Sequence, residues 1–231
     1  VDDILISVCI PVMNRRHDLE RTIGKTLAAA KISPPINVCI LDYGSSGGLS
    51  EFMEALVPMP IVFNKRNNIV YARYNADHYH NAHAWNMAAR MGAGEYLVMA
   101  GADALFDLHY FVEIRRLIDG GAIWMRGPHF KGIICVQRDE FDAAGGYDEQ
   151  FEFYGSEDKD LEARLTRRGG QFGLVPDSLV SVLRTPNSEK TRNYRGNMTK
   201  QEMIEHNRRI LEANNQAGVL VANEGRVWGQ W

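Results

Sequence analysis

The chain has 231 residues, 45% of them hydrophobic, and 26 Lys and Arg against 29 Asp and Glu give a net charge of −3. That length suffices for the core of one large domain, and the charge balance lacks the broad positive field by which proteins hold nucleic acid. Apolar runs such as Ile4 to Ile10 and Tyr96 to Ala100 are far shorter than the ~20 residues of a membrane-spanning helix, so no span is expected.

The opening Val1-Asp2-Asp3 lacks the basic-then-apolar layout of a secretory signal, so a soluble, cytoplasmic protein is expected, either free or peripheral to a membrane. Cys9, Cys39 and Cys135 show no metal-ligand spacing and sit in apolar strand-like runs, where a thiol acts as a small hydrophobe.

In chain order, an apolar strand over Ile4 to Val12 precedes a helix carrying Leu19, Ile23 and Leu27 at four-residue spacing. Pro34-Pro35 then leads into a strand at Val38 to Leu41, which exits through Gly44-Ser45-Ser46-Gly47-Gly48. A helix from Leu49 to Val57, a strand at Ile61 to Phe63, a helix over residues 79–92 and a strand from Glu95 to Ala100 continue the alternation. A helix at about Leu108 to Ile118, a β-like stretch from Ile123 to Val136 and a short helix from Arg138 to Ala144 follow, the last closed by Gly145-Gly146. An acidic helix spans Ser156 to Arg168. Thr199 with Glu202 forms a capping box that starts a terminal helix to about Ala213, and a tail with Trp228 and Trp231 completes the chain. Continuous apolar strands separated by helices imply an α/β domain with a mostly parallel central sheet covered on both faces.

In such a sheet, ligands bind beyond the carboxyl ends of the strands. Polar residues there are Asn14 and Arg15 after the first strand, Asp42 after the second, and Asp103 after the strand ending at Ala100. Each also has a local reading: Asn14 as a helix cap, Arg15 as a solvated charge, Asp42 and Asp103 as turn residues. No G-x-G-x-x-G follows the first strand and no G-x-x-x-x-G-K-[ST] occurs, which disfavours a dehydrogenase or a P-loop ATPase. Ser45 and Ser46 lack the G-x-S-x-G elbow. His78, His80 and His83, at spacings of two and three residues with no nearby partner Cys, are weak evidence for a metal site and read better as a helix-entry loop with an exposed polar face. Glu157 and Asp158, just after Gly155-Ser156, either complement the helix dipole or supply a general base.

The order of these motifs resembles the family 2 glycosyltransferases of the GT-A fold: Ile10-Pro11-Val12-Met13-Asn14-Arg15, Leu41-Asp42-Tyr43-Gly44-Ser45-Ser46, Ala84-Trp85-Asn86 before Gly94-Glu95-Tyr96-Leu97, then Gly101-Ala102-Asp103. Gly145-Gly146-Tyr147-Asp148-Glu149 and Gly155-Ser156-Glu157-Asp158 look like the carboxyl-terminal half shared with the β-1,4-galactosyltransferase group. The resemblance spans about Ser7 to Arg168. It implies a single GT-A-like domain over residues 1–231: a Rossmann-like nucleotide-sugar half (1–104), an acceptor and catalytic half (105–198), and a C-terminal helix and tail (199–231).

The implied activity is transfer of a sugar, of galactose or N-acetylgalactosamine type, from a UDP-sugar to a saccharide or glycoconjugate hydroxyl with inversion. Pro11, Asn14 and Arg15 would line the nucleotide site, Asp42 would contact the base, and Asn81 and Asn86 would lie on the segment approaching the donor phosphates. Asn81 stands where the galactosyltransferase group has an arginine. Asp158 matches the base, supported by Glu157, and the helix amino terminus is expected to lower the Asp158 pKa. Tyr154 and Lys159 fall on the acceptor side.

Asp103 matches the last residue of a D-x-D motif that is reduced here to Gly101-Ala102-Asp103, and the third ligand position falls loosely at Thr185, which puts a Mn²⁺ or Mg²⁺ cofactor in doubt. Arg184 to Arg195, with Lys190 and Arg192, is a candidate lid or an ordinary loop. A non-catalytic nucleotide-sugar or glycan-binding module is the alternative from another class. A sugar nucleotidyltransferase would carry a glycine-rich basic loop where this chain has Pro11-Val12-Met13-Asn14.

Overall fold

The computed structural model describes residues 4–33, 35–56, 69–130 and 132–231. The expected strand at Ile61 to Phe63 lies outside the described residues. The first βαβ unit is β1 (Ile6–Val12), α1 (Arg16–Lys31) and β2 (Ile36–Tyr43), followed by α2 (Leu49–Leu56) and β3 (Ile69–Tyr74). Then come α3 (Asn81–Met91), β4 (Tyr96–Met99), a short β5 (Ala104–Phe106) and α4 (Tyr110–Asp119). The remaining elements are β6 (Trp124–Arg126), β7 (Ile134–Gln137), α5 (Arg138–Ala143), α6 (Glu157–Arg167), β8 (Phe172–Leu174), β9 (Val180–Val182), α7 (Asn187–Thr191) and α8 (Lys200–Ala217).

The main sheet has seven strands in the order β3-β2-β1-β4-β7-β6-β8. β1, β2, β3 and β4 pair in parallel, whereas β7 runs antiparallel to both β4 and β6. The β-like stretch expected from Ile123 to Val136 is therefore a pair of antiparallel strands. β5 and β9 form a separate two-stranded ribbon.

Every residue of β1, β2 and β4 is buried, as expected for strands covered on both sides, and the two-residue strand period divides them between two cores. Ile6, Val8 and Ile10 of β1 join Leu19 and Ile23 of α1 and Phe111 and Ile114 of α4. On the opposite face Cys9, Leu41, Leu97 and Met99 pack with Met87 and Ala88 of α3, Phe141 of α5 and Leu161 of α6. The three cysteines are free and buried. Among the described residues no helix is long and apolar enough to cross a membrane.

Candidate functional site

The strand order reverses at β1, which lies between β2 and β4, so the loops leaving β1 and β4 open the crevice where open α/β sheets bind ligands. A cavity of about 550 Å³ sits there, a size suited to a small-molecule site. Pro11, Met13 and Arg15 line it from the β1 exit, and Gly101, Ala102 and Asp103 from the β4 exit. Tyr79, Asn81 and Trp85 come from the start of α3, and Tyr154 through Lys159 from the start of α6. Of the expected site residues, Pro11, Arg15, Asn81, Asp103, Tyr154, Glu157, Asp158 and Lys159 thus share one cavity.

The acidic pair is aimed by backbone geometry. Gly155 (φ +93°) and Ser156 (φ +75°) are both left-handed, a conformation costly for serine, and the turn they make delivers Glu157 and Asp158 to the first turn of α6. Burial, ahead of the neighbouring Asp158 charge, lifts the Glu157 carboxyl from its ordinary 4.5 to about 8. Its Oε2 is enclosed and has no hydrogen-bond partner among the described residues. Asp158 Oδ1 accepts the Lys159 backbone N–H at 2.9 Å, yet burial still raises its pKa. The lowering expected from the helix terminus is therefore reversed: removal of water outweighs the dipole and the nearby Lys159.

The same cavity is lined by a cluster centred on Arg15. The guanidinium donates through Nη2 to Asp103 Oδ2 at 3.2 Å and Thr185 Oγ1 at 2.9 Å, and it also pairs with Asp18 in the first turn of α1. Thr22 Oγ1 donates to the Ala102 carbonyl at 2.7 Å, which locks α1 against the loop carrying Asp103. Arg15 is not the solvated charge of its local reading. Asp18 escaped the sequence reading because an acidic residue in a first helical turn is ordinary.

Three expected residues stand behind this cavity. Asn14 (φ +55°) is no helix cap: its Oδ1 accepts the Ser46 N–H at 2.8 Å, its own N–H donates to Ser45 Oγ at 3.0 Å, and Nδ2 donates to Asn193 Oδ1 at 2.9 Å. It lines a neighbouring cavity of about 610 Å³ with His17, Ser46, Gly47 and Arg192. Asp42 is fully buried and accepts from Ser45 N–H (2.7 Å), Tyr71 Oη (3.1 Å) and Arg73 Nη1 (2.8 Å). Its hydrogen bonds are internal, which fits its turn reading. Asn86 is fully buried too; its Nδ2 donates to the Tyr147 carbonyl and Glu149 Oε1, and its Oδ1 accepts the Tyr147 N–H at 2.8 Å. It ties α3 to the turn after α5 and does not line either cavity.

The histidines act as the helix-start loop reading expects. His80 Nδ1 accepts the His83 N–H at 3.3 Å as the cap of α3, and His83 Nδ1 bonds Tyr43 Oη at 2.8 Å. His129, which the sequence did not single out, also lines the cavity, as do Asn193 and Tyr194 of the Arg184 to Arg195 segment, which were not named individually. The Asn193 carbonyl accepts the Tyr79 N–H, and the Tyr194 ring meets the Tyr79 ring edge-on at 5.5 Å, contacts set by chain folding that no local pattern announces.

A divalent cation takes six or more oxygen ligands. Here Asp103 is already paired with Arg15, Thr185 offers a neutral hydroxyl, and Asp103 Oδ1 lies 2.6 Å from where a side chain on Gly101 would begin. Among the described residues no three His, Cys, Asp or Glu side chains converge to hold a metal. This donor set does not fit a resident divalent cation.

The family model described as "Glycosyl transferase family 2" matches residues 7–143, more than half of the chain, and that described as "N-terminal domain of galactosyltransferase" matches residues 126–206. Polypeptide N-acetylgalactosaminyltransferase 3 of Taeniopygia guttata is 35% identical over 57 residues, 24% of this chain and 9% of that protein. Inactive polypeptide N-acetylgalactosaminyltransferase-like protein 5 of Macaca fascicularis is 33% identical over 68 residues, 29% of this chain and 15% of that protein. The chain thus aligns with only a small part of these relatives. Among solved structures, the mannosyltransferase PcManGT from Pyrobaculum calidifontis, in complex with GDP-Man and Mn²⁺, superposes with a TM-score of 0.63 at 16% identity, covering 74% of this chain and 55% of that one. TarS 1-349 of S. aureus in complex with UDP-GlcNAc gives 0.66 at 10% identity, covering 91% and 66%. These likenesses show the fold.

Proposed function

The chain belongs to glycosyl transferase family 2, and on that premise we propose that it transfers a sugar of galactose or N-acetylgalactosamine type from a UDP-sugar to a saccharide or glycoconjugate hydroxyl, with inversion. The observation that carries this reading is the half-buried Glu157–Asp158 pair in the cavity at the β1 and β4 exits, with raised carboxyl pKa values. Support for a nucleotide-sugar donor comes from the folds it resembles, seen with GDP-Man and UDP-GlcNAc, and for the sugar class from the names of its partial relatives.

In this reading residues 1–104 form the donor half and 105–198 the acceptor half. Pro11, Asn81, Arg15 and Asp103 face the donor, Tyr154 and Lys159 the acceptor, while Asn14 and Asp42 shape the donor loops from behind. Asp158, ionised, accepts the acceptor hydroxyl's proton as that oxygen attacks the anomeric carbon; its raised pKa makes it a better base than an exposed aspartate. Glu157 keeps its proton at neutral pH and so offers an O–H donor to a sugar hydroxyl beside the base. Negative charge developing on the leaving diphosphate requires fixed positive groups on the donor side.

A non-catalytic nucleotide-sugar or glycan-binding module draws on the poor donor set around Gly101 and Thr185, but it leaves two adjacent half-buried carboxylates in the cavity unexplained. Incubation with UDP-sugars and saccharide acceptors, with release of UDP measured, separates the readings. Asp158→Asn is expected to lower turnover about 100- to 10,000-fold with donor binding kept; undiminished turnover would remove Asp158 as the base.

A further inference from the structure

We propose that the Arg15 guanidinium, in place of a divalent cation, is the resident positive charge that holds the donor's diphosphate; this rests on the nucleotide-sugar reading above. Three observations converge on it. Arg15 lies where the β1 and β4 exits meet, and it spans the two side chains, Asp103 and Thr185, that stand at expected metal-ligand positions. Its side chain is only 16% exposed and lines the cavity, so water screens it weakly. Its hydrogen bonds run through Nε and Nη2 to Asp18, Asp103 and Thr185, and Nη1 makes none among the described residues. The unused N–H groups are therefore the edge left for a ligand.

A guanidinium suits this task because it stays charged at any working pH and presents planar paired donors to phosphate oxygens. Lys190 of α7 lines the same cavity, so a second cation accompanies it. Asp18 and Asp103 then act as positioning residues that hold the fork in one orientation. A bare Cα at residue 101 is part of the same device, since Asp103 turns over it to reach Arg15.

The test is calorimetric titration of UDP, and in parallel GDP, into the wild-type protein with EDTA and with Mn²⁺. The expected result is the same affinity in both conditions within about twofold. Arg15→Ala should weaken UDP binding at least about tenfold in EDTA while the melting temperature shows the variant folded. Asp103→Asn should strengthen UDP binding, because it removes a carboxylate near the diphosphate, whereas a metal ligand changed in this way would lose it. Tightening of wild-type UDP binding by Mn²⁺ of about tenfold or more, or a comparable loss in Asp103→Asn, overturns the proposal and leaves the nucleotide-sugar reading standing. Absence of UDP and GDP binding in both conditions overturns that reading itself.

Discussion

Glu157 keeps its proton to about pH 8 because its carboxyl is enclosed beside a second carboxylate, and this couples the site to folding. Its folded pKa lies above the unfolded value of about 4.3, so between those values the folded chain holds a proton that the unfolded chain has released. The stability this contributes is complete below the unfolded pKa and is lost as pH rises through about 8. The melting temperature should therefore fall from pH 5 to pH 8.5, and Glu157→Gln, which stays neutral, should flatten that slope; an unchanged slope would contradict it. At this scale the sequence singled out the acidic pair as candidates but did not reveal its protonation state. Glu157 and Asp158 stood out in Gly-Ser-Glu-Asp, yet the sign of the Asp158 shift depended on water excluded by distant segments. The Arg15 to Asp103 bond likewise joins residues 88 apart in the chain.

At the scale of elements, α6 has to be held firmly for its first turn to serve as a site. Arg164, fully buried, donates to Asp160 Oδ2 at 2.8 Å and to the Ala144 carbonyl at 2.6 Å. Asn214 of α8 bridges Asp160 and Asp148 at 2.9 Å to each. Arg164→Met strands a buried carboxylate, and urea unfolding should show a loss of about 3–5 kcal/mol; a loss under ~1 kcal/mol would place this pair with ordinary surface ion pairs. Most elements were legible because β1, β2 and β4 are continuous apolar runs and the helices repeat at four residues. β3 was missed because it is an edge strand with only Ile69 buried. The reversal of β7 was missed because a buried strand has the same composition in either direction. β5, β8 and β9 have three residues each, too few for any period to register.

For the whole molecule, the sheet has two parts: the parallel strands β1 to β4, whose β1 and β4 exits open onto the cavity, and the strands β7, β6 and β8, which join it through the single reversed strand β7. The tail closes the second part. Gly145 and Gly146 are left-handed, and a side chain on Gly145 would begin 2.0 Å from the Ala222 carbonyl oxygen. Asn223 Nδ2 donates to the Gly145 and Tyr147 carbonyls, and its Oδ1 accepts the Glu149 N–H. Deleting residues 219–231 should raise amide exchange at Gly146 and Tyr147 while β1 and β2 keep their protection; equal loss in both regions would show that the tail belongs to the global folding unit. The same clamp sets a schedule for synthesis. The Gly229 N–H donates to Glu149 Oε1 across 80 residues, so at about 5–20 residues per second the Glu149 carboxylate waits roughly 4–16 s for this partner. The turn that leads into α6 is thus completed only well after strands β1 to β4 have been synthesised.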